Sequence, residues 1–137
     1  MQKLYTATAT ATGGRDGKIV SSDDILSVEV RAPKELGGPG GATNPEQLFA
    51  GGYAACFESA LNVVARMKKI KVEKTEVTAH VTLGKIEDGN YQLEAKLDIS
   101  IVGVEPEVAK ELAEAAHQVC PYSRATRGNI NVELNVL

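Results

Sequence analysis

The first thirty residues alternate with the period of β-strands. Between residues 3 and 12, Leu4 and three threonines share one face, while Tyr5 and three alanines share the other. This period-2 pattern, in residues that favour strands, predicts a first strand. The turn cluster 13–17 follows, and the apolar runs 19–20 and 25–30 predict two returning strands. We therefore expect an N-terminal hairpin or meander, with Arg15 near the tip of its first turn.

The pattern then changes to a glycine-rich loop and a long helix. The loop covers residues 32–43, and loops of this length in a compact domain are often functional. Asn44 is a good N-cap, Pro45 suits the first helical position, and Gln47 stands three residues after the cap. These signals predict a helix that begins at Pro45 and continues to about residue 69.

Gly51 and Gly52 interrupt this helical pattern, and two interpretations stay open. Each glycine costs about 1 kcal/mol relative to alanine inside a helix, so the pair could mark a break. A break could fold Glu46 back toward Cys56, although ten residues of continuous helix would span about 15 Å. It would also place Cys56 in the first turns of a second helix, where the positive dipole end favours a thiolate. The alternative is that the glycines let another backbone pack closely.

The C-terminal half predicts two further strands, a helix and a last strand. The β-type runs 72–86 and 91–104 are joined by the turn 87–90, which indicates a hairpin. An apolar stripe that follows Pro106 predicts a second helix, which ends or kinks at Cys120-Pro121. Residues 130–136 alternate again as a strand. The order predicts an α+β fold, with a largely antiparallel sheet in a single domain over residues 1–137.

Composition narrows the possible partners and the compartment. The chain has 137 residues with 15 basic and 18 acidic side chains, a formal net charge of −3. This balance argues against nucleic acid and against an anionic membrane surface as partners. The uncharged stretch 47–57 is too short to span a bilayer, and no apolar run that resembles a signal peptide opens the chain. We expect a cytoplasmic protein.

Cys56 and Cys120 are the candidate chemical groups. Two cysteines are too few for a disulfide scaffold, and no CxxC pair is present, so they are either inert buried thiols or one redox pair. His117 shares a helix face with Cys120, but no recognised metal-ligand spacing supports zinc. No orienting third group supports a Cys-His nucleophile. By default, Arg15 would be solvated and Glu46 would complement the helix dipole.

Several motifs in these regions together resemble one family. They are Gly13-Gly14-Arg15-Asp16-Gly17, Thr43-Asn44-Pro45-Glu46-Gln47-Leu48-Phe49, Gly52-Tyr53-Ala54-Ala55-Cys56-Phe57 and Val119-Cys120-Pro121-Tyr122-Ser123, followed by Ala125-Thr126-Arg127-Gly128-Asn129-Ile130. With these motifs the chain looks like the organic hydroperoxide resistance (Ohr) branch of the OsmC/Ohr family, and the likeness covers nearly its whole length. One position departs from that pattern, because Arg124 stands where Ohr proteins commonly carry Asn.

The resemblance implies a peroxidase of the oxidative stress response that uses thiols on organic hydroperoxides, including those of fatty acids. It implies that Cys56 is the peroxidatic cysteine and Cys120 the resolving one. It further assigns Arg15 as the activating arginine and Glu46 as its carboxylate partner. The family forms an intertwined homodimer with active sites at the interface, and its reductant is a dihydrolipoyl group, often on a lipoylated protein. No metal, flavin or haem is required.

The residues also suggest a substrate wall and leave alternative functions open. Phe49, Tyr53 and Phe57 lie near Cys56 in sequence and would suit a bulky, lipid-like peroxide. One alternative is the osmotically induced (OsmC) branch, which has a different substrate preference. Another is a non-catalytic redox sensor with two cysteines. Arg15 and the segment 43–46 favour the Ohr branch.

Overall fold

The computed structural model describes residues 1–137, and its two three-stranded sheets and three helices form the predicted α+β fold. The chain divides into two compact units, Met1–Leu48 and Phe49–Leu137. The elements, in chain order, are β1 (Ala9–Thr12), β2 (Gly17–Ser21), β3 (Ser27–Val30), α1 (Pro45–Met67), β4 (Lys74–Lys85), β5 (Tyr91–Val102), α2 (Pro106–Val119), α3 (Pro121–Thr126) and β6 (Val132–Val136).

The N-terminal unit contains the predicted meander, in which β1, β2 and β3 pair antiparallel in that order. Its first strand is shorter than the predicted 3–12. The pairing of β1 with β2 ends at Ala9 and Ser21, where β2 turns away, and residues 3–8 have no strand to pair with. The β1–β2 turn closes with a hydrogen bond from the Asp16 N–H to the Gly13 carbonyl, at 3.0 Å.

The C-terminal unit contains a sheet in the order β4-β5-β6. β4 and β5 form the predicted antiparallel hairpin, with a register from Lys74 opposite Val102 to Lys85 opposite Tyr91. β6 pairs with β5 in parallel, because the chain between them passes through α2 and α3 and returns in the same direction. The sheets are therefore largely antiparallel, as predicted, with one parallel pair.

The core of the C-terminal unit lies between its helices and one face of the sheet. Alternate residues of β5 are buried, while those between them lie on the polar face. Fully burying one large apolar side chain stabilises a fold by roughly 1.5–3 kcal/mol. The largest apolar side chains with less than 2% exposure in this core are Tyr53, Phe57, Leu61, Leu97, Ile99 and Leu112.

Helix α1 begins as predicted but does not break. The Gln47 N–H donates to the Asn44 Oδ1 at 2.9 Å, which confirms the N-cap. The helix then runs without interruption from Pro45 to Met67, so of the two interpretations of Gly51-Gly52 the break is wrong. Cys56 therefore lies in the helix interior, where the terminal dipole has little effect, and the predicted fold-back of Glu46 does not occur.

Helix α1 is also long and apolar enough to cross a membrane by length and composition. Core helices of folded domains have the same two properties. The side chains of Tyr53, Phe57 and Leu61 on α1 are buried in the core, which accounts for its apolar composition.

Candidate active site

The two cysteine side chains meet in the C-terminal unit. Both thiols are reduced, and Cys120 donates a hydrogen bond to Cys56, with 3.4 Å between the two sulfur atoms. A disulfide needs a sulfur–sulfur distance of about 2.05 Å, so only a small approach would be needed if one thiol were oxidised. Helix α1 supplies Cys56, and Cys120 comes from a position 64 residues further along the chain. The fold thus brings together two residues whose proximity the sequence left open.

Cys120 occupies a corner between two helices. Its N–H donates to the Ala116 carbonyl at 2.8 Å and closes α2, while its own carbonyl accepts from the Arg124 N–H at 3.0 Å and opens α3. Pro121 holds the preceding residue in extended backbone, and Cys120 has φ −63° and ψ 123°. The sequence predicted the end of α2 at this point but missed α3. The residue that departs from the Ohr pattern, Arg124, is exposed on α3.

Burial and two neighbouring groups set the acidity of Cys56. Burial raises the pKa of its thiol, as expected for a thiol in an apolar setting. The backbone of Tyr122 lowers the pKa, whereas the Cys120 thiol raises it. Burial is the largest of these effects, so these groups together favour the protonated thiol.

Gly52 makes room for an aromatic side chain above α1. A Cβ built on Gly52 would lie 2.7 Å from the hydroxyl oxygen of Tyr122, whereas one on Gly51 would meet no atom within 4 Å. The close-packing interpretation therefore holds for Gly52, although the packed group is a side chain and not a backbone. The ring centroids of Phe49, Tyr53 and Tyr122 lie 5.8 to 6.2 Å apart and form one aromatic cluster.

The three predicted substrate-wall residues occupy different environments. Tyr53 and Phe57 are fully buried in the core. Phe49 is half-buried and borders an open cavity of about 630 Å³, which the sequence did not predict. Most of the residues around this cavity are apolar. Its lining is Phe49, Gln92, Leu93, Pro121, Tyr122, Ala125, Thr126, Asn129 and Ile130.

Arg15 and Glu46 form a bidentate ion pair in the N-terminal unit. The guanidinium Nη1 donates to Oε2 at 2.9 Å, and Nη2 donates to Oε1 at 2.6 Å. The side chains are 40% and 15% exposed, respectively. Their hydrogen bonding lowers the pKa of Glu46 and raises that of Arg15. The sequence named both residues, and the structure adds that each fixes the orientation of the other.

A chain of buried hydroxyl groups beside the thiols was not predicted. The hydroxyl of Tyr53 on α1 lies 2.8 Å from the Ser123 Oγ and 3.1 Å from the Thr126 Oγ1, both on α3. The Nδ1 of His117 on α2 lies 2.8 Å from the same Ser123 Oγ. No sequence pattern indicates this contact, because isolated Ser and Thr residues follow no recognisable spacing.

Known proteins resemble this chain along its whole length. The family model described as OsmC-like protein matches residues 38–135. The organic hydroperoxide resistance protein OhrA of Bacillus subtilis is 52% identical, over 98% of this chain and 97% of its own. The organic hydroperoxide resistance protein of Xanthomonas axonopodis pv. citri is 50% identical, over 97% of this chain and 94% of its own.

Solved structures agree with this similarity. An organic hydroperoxide resistance protein from Elizabethkingia anophelis superposes with a TM-score of 0.95 at 56% identity, and the match covers 99% of this chain and 98% of the other. The family match spans more than half of this chain, and the relatives match it nearly end to end. This chain belongs to the OsmC-like family, in its organic hydroperoxide resistance branch.

Proposed function

We propose that this protein is a cysteine-based peroxidase that detoxifies organic hydroperoxides, including those of fatty acids, by reducing them to alcohols. The observation that carries the proposal is the approach of two reduced thiols to 3.4 Å. Membership of the organic hydroperoxide resistance branch supports the choice of substrate. The following steps use only thiol chemistry and require no metal, flavin or haem.

The first step is attack by the Cys56 thiolate on the terminal peroxide oxygen. The sulfur takes that oxygen and becomes a sulfenic acid, and the alkoxide that leaves gains a proton to give the alcohol. The step needs a thiolate, whereas burial raises the pKa of Cys56. A positive charge must therefore offset the burial, and we assign this role to Arg15. Glu46 would hold its guanidinium in one orientation through the bidentate pair.

The second step is resolution by Cys120. Its thiol sulfur displaces hydroxide from the Cys56 sulfenic acid, and a disulfide and water result. This condensation protects Cys56 from irreversible oxidation to the sulfinic acid. An external dithiol, such as a dihydrolipoyl group on a lipoylated protein, then reduces the disulfide by exchange and becomes a cyclic disulfide itself. The short distance between the sulfur atoms supports this assignment of Cys120.

The substrate class is suggested by the cavity of about 630 Å³ that Phe49 and Tyr122 border. Its mostly apolar lining suits the organic part of a hydroperoxide, because apolar pockets with a few polar groups are typical small-molecule sites. The backbone of Tyr122 also lowers the pKa of Cys56, so one residue borders the cavity and acts on the reactive thiol. Hydrogen peroxide has no apolar part and would gain nothing from this cavity.

We further propose a cytoplasmic, intertwined homodimer with two active sites at its interface, as the family resemblance implies. All four residues of β1 are exposed in the single chain, which supports a second copy as their cover. Sedimentation of the purified protein tests this part directly. A single species with the mass of one chain, at all concentrations, would contradict it.

Coupled turnover tests the proposed function. The protein is incubated with cumene hydroperoxide, lipoamide, lipoamide reductase and NADH, and loss of NADH is followed. We expect catalytic consumption by the wild type and by the control Ser59→Ala, at an exposed position on the same helix. Cys56→Ser should abolish it. Cys120→Ser should allow one oxidation and then accumulate the sulfinic acid.

Two outcomes would contradict the proposal or favour an alternative. Persistent turnover by Cys56→Ser would overturn the assigned nucleophile. A single stoichiometric oxidation of the wild type without NADH loss would favour the two-cysteine redox sensor. A comparison of several hydroperoxides addresses the osmotically induced branch, which would show a different substrate preference.

A further inference from the structure

We propose that the buried hydroxyl chain of His117, Ser123, Tyr53 and Thr126 positions Cys120 for disulfide formation. This inference rests on the proposed function for its biological role, and it adds positioning residues to the resolving step. Thr126 also borders the proposed substrate cavity, but the role proposed here requires no contact with the peroxide. The four residues act through the helices that carry the two thiols.

Three of the four residues lie three positions from a cysteine, and Thr126 lies six positions after Cys120. His117 lies three residues before Cys120, and Ser123 lies three residues after it. Tyr53 lies three residues before Cys56 on α1, so the two side chains share a helix face. The Ser123 Oγ contacts both Tyr53 and His117, each at 2.8 Å. These hydrogen bonds join α2 to α3 across the Cys120 corner. They also connect both helices to α1, one turn from Cys56.

One arrangement of protons makes every hydrogen bond in the chain. The Thr126 hydroxyl donates to the Ser123 carbonyl at 3.2 Å, so Thr126 accepts from the Tyr53 hydroxyl. The Tyr53 hydroxyl has no second proton to donate, so it accepts a hydrogen bond from the Ser123 hydroxyl. Ser123 in turn must accept from His117, whose Nδ1 carries the proton.

The environment of His117 fits this arrangement. Burial and the nearby Arg127 lower the pKa of the imidazole, which keeps it neutral near pH 7. The Arg127 side chain also donates to the His117 carbonyl at 2.7 Å, so the last turn of α2 is held from two sides. Ser123 is fully buried and Thr126 is 4% exposed, so water cannot replace a lost partner easily.

The chemical step depends on this geometry. The Cys56 sulfenic acid and the Cys120 thiol condense to a disulfide and water, while a second hydroperoxide competes to convert the sulfenic acid to sulfinic acid. The sulfur atoms must approach from 3.4 Å to about 2.05 Å for condensation. Cys120 stands at a one-residue corner, so its reach is set by how firmly α2 and α3 are held. A looser corner slows condensation and favours the competing oxidation.

The test measures the relative amounts of two oxidation products, the Cys56 sulfinic acid and the Cys56–Cys120 disulfide. Reduced wild type, Ser123→Ala, Thr126→Val and the exposed control Ser59→Ala are treated with graded excess of cumene hydroperoxide. Mass spectrometry then gives the ratio of sulfinic acid to disulfide at Cys56. A net buried hydrogen bond is worth roughly a factor of five in an equilibrium, so we expect a rise of about fivefold in Ser123→Ala. Thr126→Val should show a smaller rise, and Ser59→Ala none.

A second measurement does not require peroxidase activity. Equilibration of each variant with reduced and oxidised dithiothreitol gives the equilibrium constant for forming the Cys56–Cys120 disulfide. We expect Ser123→Ala to lower this constant by about fivefold. A failure of the proposed function would appear as wild-type thiols that resist hydroperoxide, and the equilibrium would still test the positioning.

The inference is overturned if folded Thr126→Val and Ser123→Ala match the wild type in both measurements. A role limited to folding would lower the thermal midpoint of these variants without changing the product ratio or the equilibrium constant. If Ser123→Ala does not fold, the dithiothreitol equilibrium of Thr126→Val decides, because this variant retains the hydroxyl contact between Tyr53 and Ser123 and the measurement does not involve the substrate cavity that Thr126 borders.

Discussion

The two adjacent glycines of α1 allow a matched experiment on the packing beside Cys56. Gly51→Ala and Gly52→Ala make the same chemical change one residue apart in one helix. Each substitution should raise the free energy of unfolding by about 0.5–1 kcal/mol, because alanine has less conformational entropy than glycine in the unfolded chain. Gly51 is exposed and its new Cβ would meet no atom within 4 Å, so the gain should appear in full.

Gly52→Ala carries an additional steric cost. The new Cβ would lie 2.7 Å from the Tyr122 hydroxyl oxygen and 3.2 Å from two of its ring carbons. Tyr122 is 39% exposed and can tilt, but it also packs against Phe49 and Tyr53. Overpacking of this kind costs roughly 1–3 kcal/mol. We therefore expect the free energy of unfolding of Gly52→Ala to be about 1–3 kcal/mol lower than that of Gly51→Ala, because only Gly52→Ala carries this steric cost.

Urea unfolding under reducing conditions measures this difference in the free energy of unfolding. The double variant Gly52→Ala/Tyr122→Phe removes the closest atom and should recover part of the loss, with a coupling energy of about 1 kcal/mol. A displaced Tyr122 also moves the backbone that lowers the pKa of Cys56, so alkylation of Cys56 at pH 7 should slow. Equal stabilisation by Gly51→Ala and Gly52→Ala would refute this reasoning.

Two further perturbations follow from the ion pair and the cavity. Because Arg15 lowers the pKa of Glu46, the pair stabilises the fold fully above the unfolded Glu pKa of about 4.3, and the benefit disappears as the pH falls through the folded value. The gap in unfolding free energy between wild type and Glu46→Gln should narrow from pH 7 to pH 3, and a constant gap would contradict the assignment. Ile130→Ala enlarges the proposed substrate cavity, so KM for cumene hydroperoxide should rise roughly tenfold, with a smaller change for tert-butyl hydroperoxide. The exposed Val102→Ala is the control, and equal effects on both substrates would argue against this cavity as the binding site.

Local chemistry made part of this fold predictable. The Asn44 cap depends on a hydrogen bond between residues three apart, and the turn at 87–90 depends on residues adjacent in sequence. The ion-pair partners Arg15 and Glu46 were named through family motifs, since a separation of 31 residues carries no distance information. Local signals therefore predicted how elements begin and end, and the resemblance supplied the candidate site.

Tertiary packing decided the features that the sequence did not reveal. Two glycines in a helix cost about 2 kcal/mol, whereas burying Tyr53 and Phe57 beside them contributes roughly 1.5–3 kcal/mol each, so α1 stays intact. Helix α3 has six residues, which is too short to show a periodic pattern, and Pro121 begins it instead of only ending α2. The hydroxyl chain joins residues up to 73 positions apart and exists only once the helices have packed.

The backbone hydrogen bonds at the Cys120 corner should change with the redox state of the two cysteines. One residue closes α2 with its N–H and opens α3 with its carbonyl, so a pull on its side chain acts on both helices at once. Formation of the disulfide exerts such a pull toward α1. Backbone amide hydrogen exchange should therefore differ between reduced and oxidised protein at Cys120 and Arg124, whose amides donate the two hydrogen bonds of the corner. The backbone around Cys120 would then report the oxidation that begins at Cys56.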